Sequence, residues 1–253
     1  MRHWILLGLL AVIVISGCGK KPRPVLPAAE QFVRAKDLYD RGKYYKAQLD
    51  FENLIYTYPG NTVIDTAEYY LGMCYYQQKD YGLAAGEFKR LMNAYPNSDF
   101  ADDAQYYIAM SHYRMSPKYS LDQVETNLAI QEFNKLISDF MLSPFTKEAR
   151  EKVVELEDKL ARKSFNAGIL YLKLGHYKAA LTYFAFVRDN YPSTDWAIQS
   201  FYYTGEAQYK SKKYAEAKDT MEKFLLGFAN HKLAPKAKEK LEQIGRKISV
   251  QEG

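Results

Sequence analysis

One motif returns along this chain at a fixed interval, and that recurrence leaves few folds open. Residues 66–96 read TAEYYLGMCYYQQKDYGLAAGEFKRLMNAYP. In the first half Ala67, Leu71, Gly72, Tyr75 and Tyr76 fall at helical spacing; in the second Tyr81, Ala84, Ala85, Phe88 and Leu91 do the same. Tyr95-Pro96 ends the second helix, because proline lacks the N–H donor and its ring blocks continuation. A shift of 37 residues maps Tyr58-Pro59 onto Tyr95-Pro96, Phe51 onto Phe88, Ala47 onto Ala84 and Tyr69-Tyr70 onto Tyr106-Tyr107. Near the C-terminus the same shift carries Gly168 to Gly205, Tyr177 to Tyr214 and Ala180 to Ala217. A lone helical hairpin cannot bury both its apolar faces, so a period in this range means stacked hairpins, each covering the next. Gly72 and Ala84 belong where two helices approach closely, with Tyr75, Tyr81 and Phe88 filling the space around them.

The order L-G-x-x-Y, D-Y-x-x-A, F, P resembles the tetratricopeptide repeat, whose period is about 34 residues. The surplus falls in the loop after Tyr-Pro. The expected fold is all-α: a tetratricopeptide-repeat right-handed superhelical solenoid of about five hairpins plus a C-terminal capping helix. The hairpins are expected at 29–59, 63–96, 100–141, 146–192 and 195–228, and the Lys-rich cap at 233–248, with Leu241, Ile244 and Ile248 on its apolar side. Asn97-Ser98 and Ser193-Thr194 suit helix N-caps. Two irregularities break the pattern. Repeat three inserts Ser116 to Gln123 (SPKYSLDQ) between its helices, so its second helix restarts at Asp122 and brings Ala129 and Phe133 to the places of Ala84 and Phe88. Repeat four has an elongated first helix, about 147–174. A repeat scaffold becomes specific where it departs from its own pattern.

The front of the chain is not part of that stack. Arg2 and His3 precede an apolar run, Trp4 to Ile15, too short for a spanning helix of about 20 residues. It ends in Ile15-Ser16-Gly17-Cys18, which resembles the bacterial lipobox. That resemblance implies a signal peptide at 1–17, cleavage before Cys18, lipidation of Cys18, and a multi-chain anchor strong enough for stable attachment. Gly19, rather than Asp, implies delivery to the outer membrane, facing the periplasm. Residues 18–27 (CGKKPRPVLP) form a basic, proline-rich linker, extended and semi-rigid. With Cys18 acylated, Cys74 is the remaining thiol, so no internal disulfide can form, and its place within a helix makes it a small buried hydrophobe.

The residues offer no catalytic constellation: no phosphate-binding glycine loop, G-x-S-x-G, H-E-x-x-H or Ca²⁺ loop occurs. His3, His112, His176 and His231 are scattered, and two cysteines cannot build a zinc site. His112 takes the place of Tyr75 and reads as a packed helix residue. No enzyme, cofactor or metal is expected. A net charge of +5, dispersed over 253 residues, gives no nucleic-acid footprint.

Taken together, the lipobox, the basic linker, the Tyr-Pro repeats, the P-x-Y-x-L-D-Q insertion leading into AIQEFNKLISDF, and the long helix entering LYLKLGHYKAALTYFAFVRDNYPST resemble the BamD family. Members are non-enzymatic lipoprotein subunits of the outer-membrane β-barrel assembly complex. The chain departs from the family at Phe140-Met141-Leu142-Ser143-Pro144, where Tyr-Pro-x-Ser is expected, and at Ala161 to Ala167, usually more acidic. The resemblance implies that repeats 1–3 (28–141) bind the C-terminal signals of unfolded outer-membrane proteins. By the tetratricopeptide pattern, Phe32, Tyr39, Tyr69, Met73, Tyr76, Tyr106, Met110 and Tyr113 line that groove, an aromatic and methionine surface of low entropic cost and adaptable shape; packing between helices is the competing role for each. The resemblance also implies that repeats 4–5 and the cap (142–249, before a tail at 250–253) dock onto the POTRA domains of the barrel subunit. Tyr202, Tyr209, Lys212, Lys213, Lys236, Lys240 and Arg246 are the candidate contacts, a plain solvated basic surface the alternative. Other assembly lipoproteins are further possible partners. A different periplasmic repeat lipoprotein, serving Tol-Pal and cell-wall coordination or acting as a pilus or secretin pilotin, stays open on the repeats alone.

Overall fold

The computed structural model describes residues 26–252, and among them eleven helices and no strand. The signal peptide and Cys18 lie outside the described residues. The helices pair as α1 (Ala28–Asp40) with α2 (Tyr44–Thr57), α3 (Ile64–Gln77) with α4 (Tyr81–Ala94), and α5 (Ala101–Met115) with α6 (Val124–Asp139). Then α7 (Thr146–Lys173) pairs with α8 (Tyr177–Asn190), α9 (Asp195–Lys210) with α10 (Tyr214–Gly227), and α11 (Ala234–Glu252) closes the stack. Each helix packs on its neighbours in the chain, with α1 also reaching α3 and α7 reaching α9. This is a tetratricopeptide-type solenoid.

One buried row explains the period. Phe51, Phe88, Phe133, Phe184 and Met221 stand at the same place in the five second helices, all wholly buried, with Ala47, Ala84, Ala129, Ala180 and Ala217 a turn earlier. In repeats two, four and five the facing first helix supplies a residue with no side chain, Gly72, Gly168 and Gly205; in repeats one and three Ala35 and Ala109 hold that place. A Cβ on Gly72 would lie 2.7 Å from the Phe88 ring, and one on Gly168 would lie 2.6 Å from Phe184. Only glycine lets backbone and ring approach so closely.

The hairpins turn through a left-handed residue at a fixed place: Gly42 (φ 71°), Lys79 (68°), Gly175 (78°) and Lys212 (65°). After each, an amide closes back on the helix, as in Lys43 N to Leu38 O at 2.9 Å and Lys213 N to Gln208 O at 2.9 Å, the pattern of a Schellman cap. Lysine carries a steric penalty in that conformation which glycine does not. Lys79→Gly and Lys212→Gly should therefore each raise stability by about 1 kcal/mol, read as a higher urea midpoint with an unchanged slope.

Repeat three turns differently. Ser116 is extended (ψ 118°), and the insertion follows. The buried Gln123 side chain organises it: Nε2 donates to Lys118 O (2.9 Å) and Leu121 O (3.0 Å), while Oε1 accepts from Thr126 Oγ1 (2.7 Å). The second helix begins at Val124, two residues later than the sequence pattern suggests, because Asp122 Oδ1 accepts the Val124 N–H and holds Asp122 in the turn. Of the two expected caps, Thr194 takes the Ala197 amide at the start of α9. Ser98 instead accepts from Phe100 N and donates to Asp65 Oδ2, and α5 begins after Phe100 without a side-chain cap.

Candidate functional site

The first helices carry two rows of aromatic residues at the repeat spacing. Phe32, Tyr69 and Tyr106 form the first; Tyr39, Tyr76 and Tyr113 form the second. Their fates differ. The expectation that all eight groove candidates form an open lining is corrected at four: Tyr69, Met73, Tyr106 and Met110 are each less than a tenth exposed. Tyr69 stacks on Phe100 with ring centroids 4.5 Å apart, and Tyr106 stacks on Phe145 at 4.2 Å. Those phenylalanines come from the loops between repeats, so the tyrosines join one hairpin to the next. Burial drives the hydroxyls of both well above the ordinary phenol range. Phe32 is half-buried against Phe51 and Tyr70.

The second row keeps partial exposure and gathers cations. Lys36 lies 5.9 Å from the Tyr39 ring, Arg114 Nε donates to Tyr76 Oη at 3.4 Å, and Lys152 sits 4.4 Å over Tyr113. Tyr113 also donates to Glu155 Oε1 at 2.7 Å, and Lys152 donates to Tyr113 Oη at 3.1 Å. Burial acts to raise the Glu155 carboxyl, but these two donors and the Lys152 charge win, holding it below its ordinary value. Hydrogen bonding to Tyr113 in turn raises Lys152. Tyr39 rises to about 12, chiefly through burial. What remains is a row of half-exposed phenols with positive charge beside each, able to contact aromatic or polar groups of an extended chain. The tyrosine spacing is visible in sequence; nothing there singles out Lys36, Arg114 or Lys152, since each comes to its ring from another turn or another helix.

The C-terminal candidates divide in the same way. Tyr202 is buried and donates to Glu206 Oε1 at 2.9 Å. Lys240 reaches the same carboxylate at 3.2 Å and lies 4.6 Å over the Tyr209 ring. These three tie α11 onto α9, so Tyr202 is not free to meet a partner, and Tyr209 and Lys240 are engaged within the chain. Lys212, Lys213, Lys236 and Arg246 are exposed, with Lys213 paired to Glu216 at 2.9 Å.

His112 is packed, in keeping with its position, but with a partner: Nδ1 lies 2.8 Å from Glu125 Oε2. Cys74 is wholly buried, and burial pushes its thiol to about 12, which makes it inert as a nucleophile. Among the described residues no group of three metal-ligating side chains gathers, and no helix is long and apolar enough to cross a membrane.

The sequence model of the outer membrane lipoprotein family YfiO matches residues 25–203. The chain belongs to the YfiO family. A tetratricopeptide repeat model matches residues 199–231, so the YfiO match and this one together span nearly all the helices. The chain is similar to the outer membrane protein assembly factor BamD of Rickettsia prowazekii (strain Madrid E), 29% identical over 223 residues, 86% of this chain and 89% of that one. It is also similar to BamD of Vibrio cholerae serotype O1, 23% identical over 212 residues, 79% of this chain and 88% of that one. Among solved structures, the P58(IPK) tetratricopeptide repeat domain is 13% identical with a TM-score of 0.44, covering 88% of this chain and 66% of that one.

Proposed function

We propose that this YfiO-family chain serves outer-membrane protein assembly as a lipid-anchored, non-catalytic scaffold on the periplasmic side of the outer membrane. The observation that carries the reading is the family match, joined to relatives named as assembly factors that align along most of their own length. Cys18 carries the lipid, and 18–27 spans from the anchor to the solenoid. The half-exposed row Tyr39, Tyr76 and Tyr113 receives unfolded barrel proteins. The exposed basic residues Lys212, Lys213, Lys236 and Arg246 face the POTRA domains of the barrel-forming subunit. The work done is binding and positioning, which a row of aromatic rungs on a rigid stack supports.

The test is a pull-down of the tagged full-length protein from gently solubilised envelopes, with partners identified by mass spectrometry. A POTRA-containing barrel protein in near-stoichiometric amount is the expected result. Recovery of cell-wall or pilus proteins with no such barrel would overturn the proposal.

A further inference from the structure

The α5–α6 insertion does not hang free. It lies across α7, and between the two runs an open cleft of about 380 Å³. Lys118 and Tyr119 form one wall. The other is a single face of α7, where Glu155, Asp158, Lys159 and Arg162 recur at helical spacing. Two bonds pin the insertion down: Lys159 Nζ donates to Ser116 Oγ at 2.8 Å, and Lys163 Nζ donates to Leu121 O at 2.6 Å. The Arg162 guanidinium is set 4.2 Å over the Tyr119 ring and 5.8 Å from Trp196.

The cations lining this cleft are left without an acidic partner among the described residues. Lys36, Arg90 and Lys152 each meet a carboxylate within about 3 Å. Among the described residues, Lys118, Lys159 and Arg162 have no carboxylate oxygen within 4.0 Å. Burial holds the Lys159 ammonium below its ordinary value, so an anion beside it would offset a desolvation it already bears.

We propose that the cleft between the insertion and α7 binds a peptide carboxylate, either the free end of a chain or an acidic side chain. This rests on the peptide-binding part of the function proposed above and gives it a location. Three cations against the two carboxylates in the lining suit a monoanion; Glu155 and Asp158 would repel a phosphate dianion. The same two carboxylates accept N–H groups, which a peptide carries next to its charge. Tyr119 offers a flat wall to an apolar side chain, and Arg162, fixed on that ring, provides a fork of donors matched to a carboxylate. Glu155 belongs to both places: it accepts from Tyr113 in the aromatic row and lines the cleft. A peptide lying along the row would therefore run into the charged end.

The experiment is fluorescence anisotropy on the full-length protein with three labelled peptides: GSTQVL with a free carboxylate, its C-terminal amide, and the amide GSTEVL. The free acid should bind, and its amide about tenfold more weakly. Arg162→Gln and Lys159→Gln should each remove most of that difference, whereas Lys46→Gln, at an exposed position on α2, should leave it intact. If GSTEVL amide recovers the affinity, an acidic side chain is a sufficient source; if it stays weak, the chain end is required. Equal binding of all three peptides, or an acid preference untouched by Arg162→Gln in a protein with unchanged circular dichroism, would overturn the proposal. Because the envelope pull-down reads a different contact, loss of the cleft and loss of the assembly role are told apart.

Discussion

Gly168→Ala is expected to cost about 2 kcal/mol, although alanine is the better helix former by about 1 kcal/mol. The new methyl would lie 2.6 Å from Phe184 Cε1, and that ring has nowhere to go. It is wholly buried, with Phe165 at 5.8 Å and Tyr203 at 6.0 Å between centroids. Gly72→Ala should behave alike, since Phe88 is equally enclosed. Gly205 is the internal control. Its Cβ would meet Met221 Cε at 2.7 Å, the tip of a flexible side chain rather than a ring. Methionine can change rotamer, so Gly205→Ala should cost under about 1 kcal/mol. Phe184→Leu, itself destabilising, should lessen the penalty of Gly168→Ala, giving a coupling of about 1 kcal/mol in a double-mutant cycle read by denaturant unfolding. Equal losses at Gly168 and Gly205 would show that helix packing, and not this ring, sets the cost.

That glycine-ring contact is legible in the amino-acid sequence, because the small residue and the aromatic repeat together at 37 residues. So are the hairpin pairs, the long α7 and the insertion, all written as periodic spacing or as breaks in it. The groove is less legible, and for a physical reason. A tyrosine at repeat spacing reads the same whether its ring meets solvent or a neighbour. Tyr69 and Tyr76 sit on one helix, yet Phe100 covers the first and leaves the second. The covering residue comes from a loop between repeats, whose path the period does not encode. Tyr202 misleads for the same reason: the Glu206 carboxylate that takes its hydroxyl is shared with Lys240 on a different helix. Lys79 and Lys212 hide their left-handed turns, since lysine is no signal for positive φ. Arg162 reads as one charge on a long helix; its place over Tyr119 depends on how the insertion folds back.

A second large effect should follow from Arg90→Leu. One position of the first helices is polar and buried in three successive repeats, as Gln31, Glu68 and Gln105. The glutamines bring no charge of their own: Gln31 Nε2 donates to Asn53 Oδ1 at 2.7 Å, and Gln105 Nε2 donates to Glu132 Oε2 at 2.9 Å while its Oε1 has no partner. Glu68 instead puts a carboxylate there, answered by Arg90 Nη1 at 2.5 Å, and its other oxygen has no partner. Burial already raises the Glu68 carboxyl above its ordinary value, with Arg90 pulling the other way. Without the guanidinium the rise grows. A carboxyl raised in the folded state holds its proton more tightly there than in the unfolded chain. Stability is then full below the ordinary carboxylate range and is lost as pH climbs through the raised value. Arg90 is partly exposed and water can replace some of what it supplies, so the loss near pH 7.5 should be about 2 kcal/mol rather than the full cost of a sealed charge. It should shrink toward pH 5. Adding Glu68→Gln, the residue its two counterparts already carry, should recover most of the stability and flatten the pH dependence. If the double variant keeps the slope, the titrating group lies elsewhere and the Glu68–Arg90 account fails.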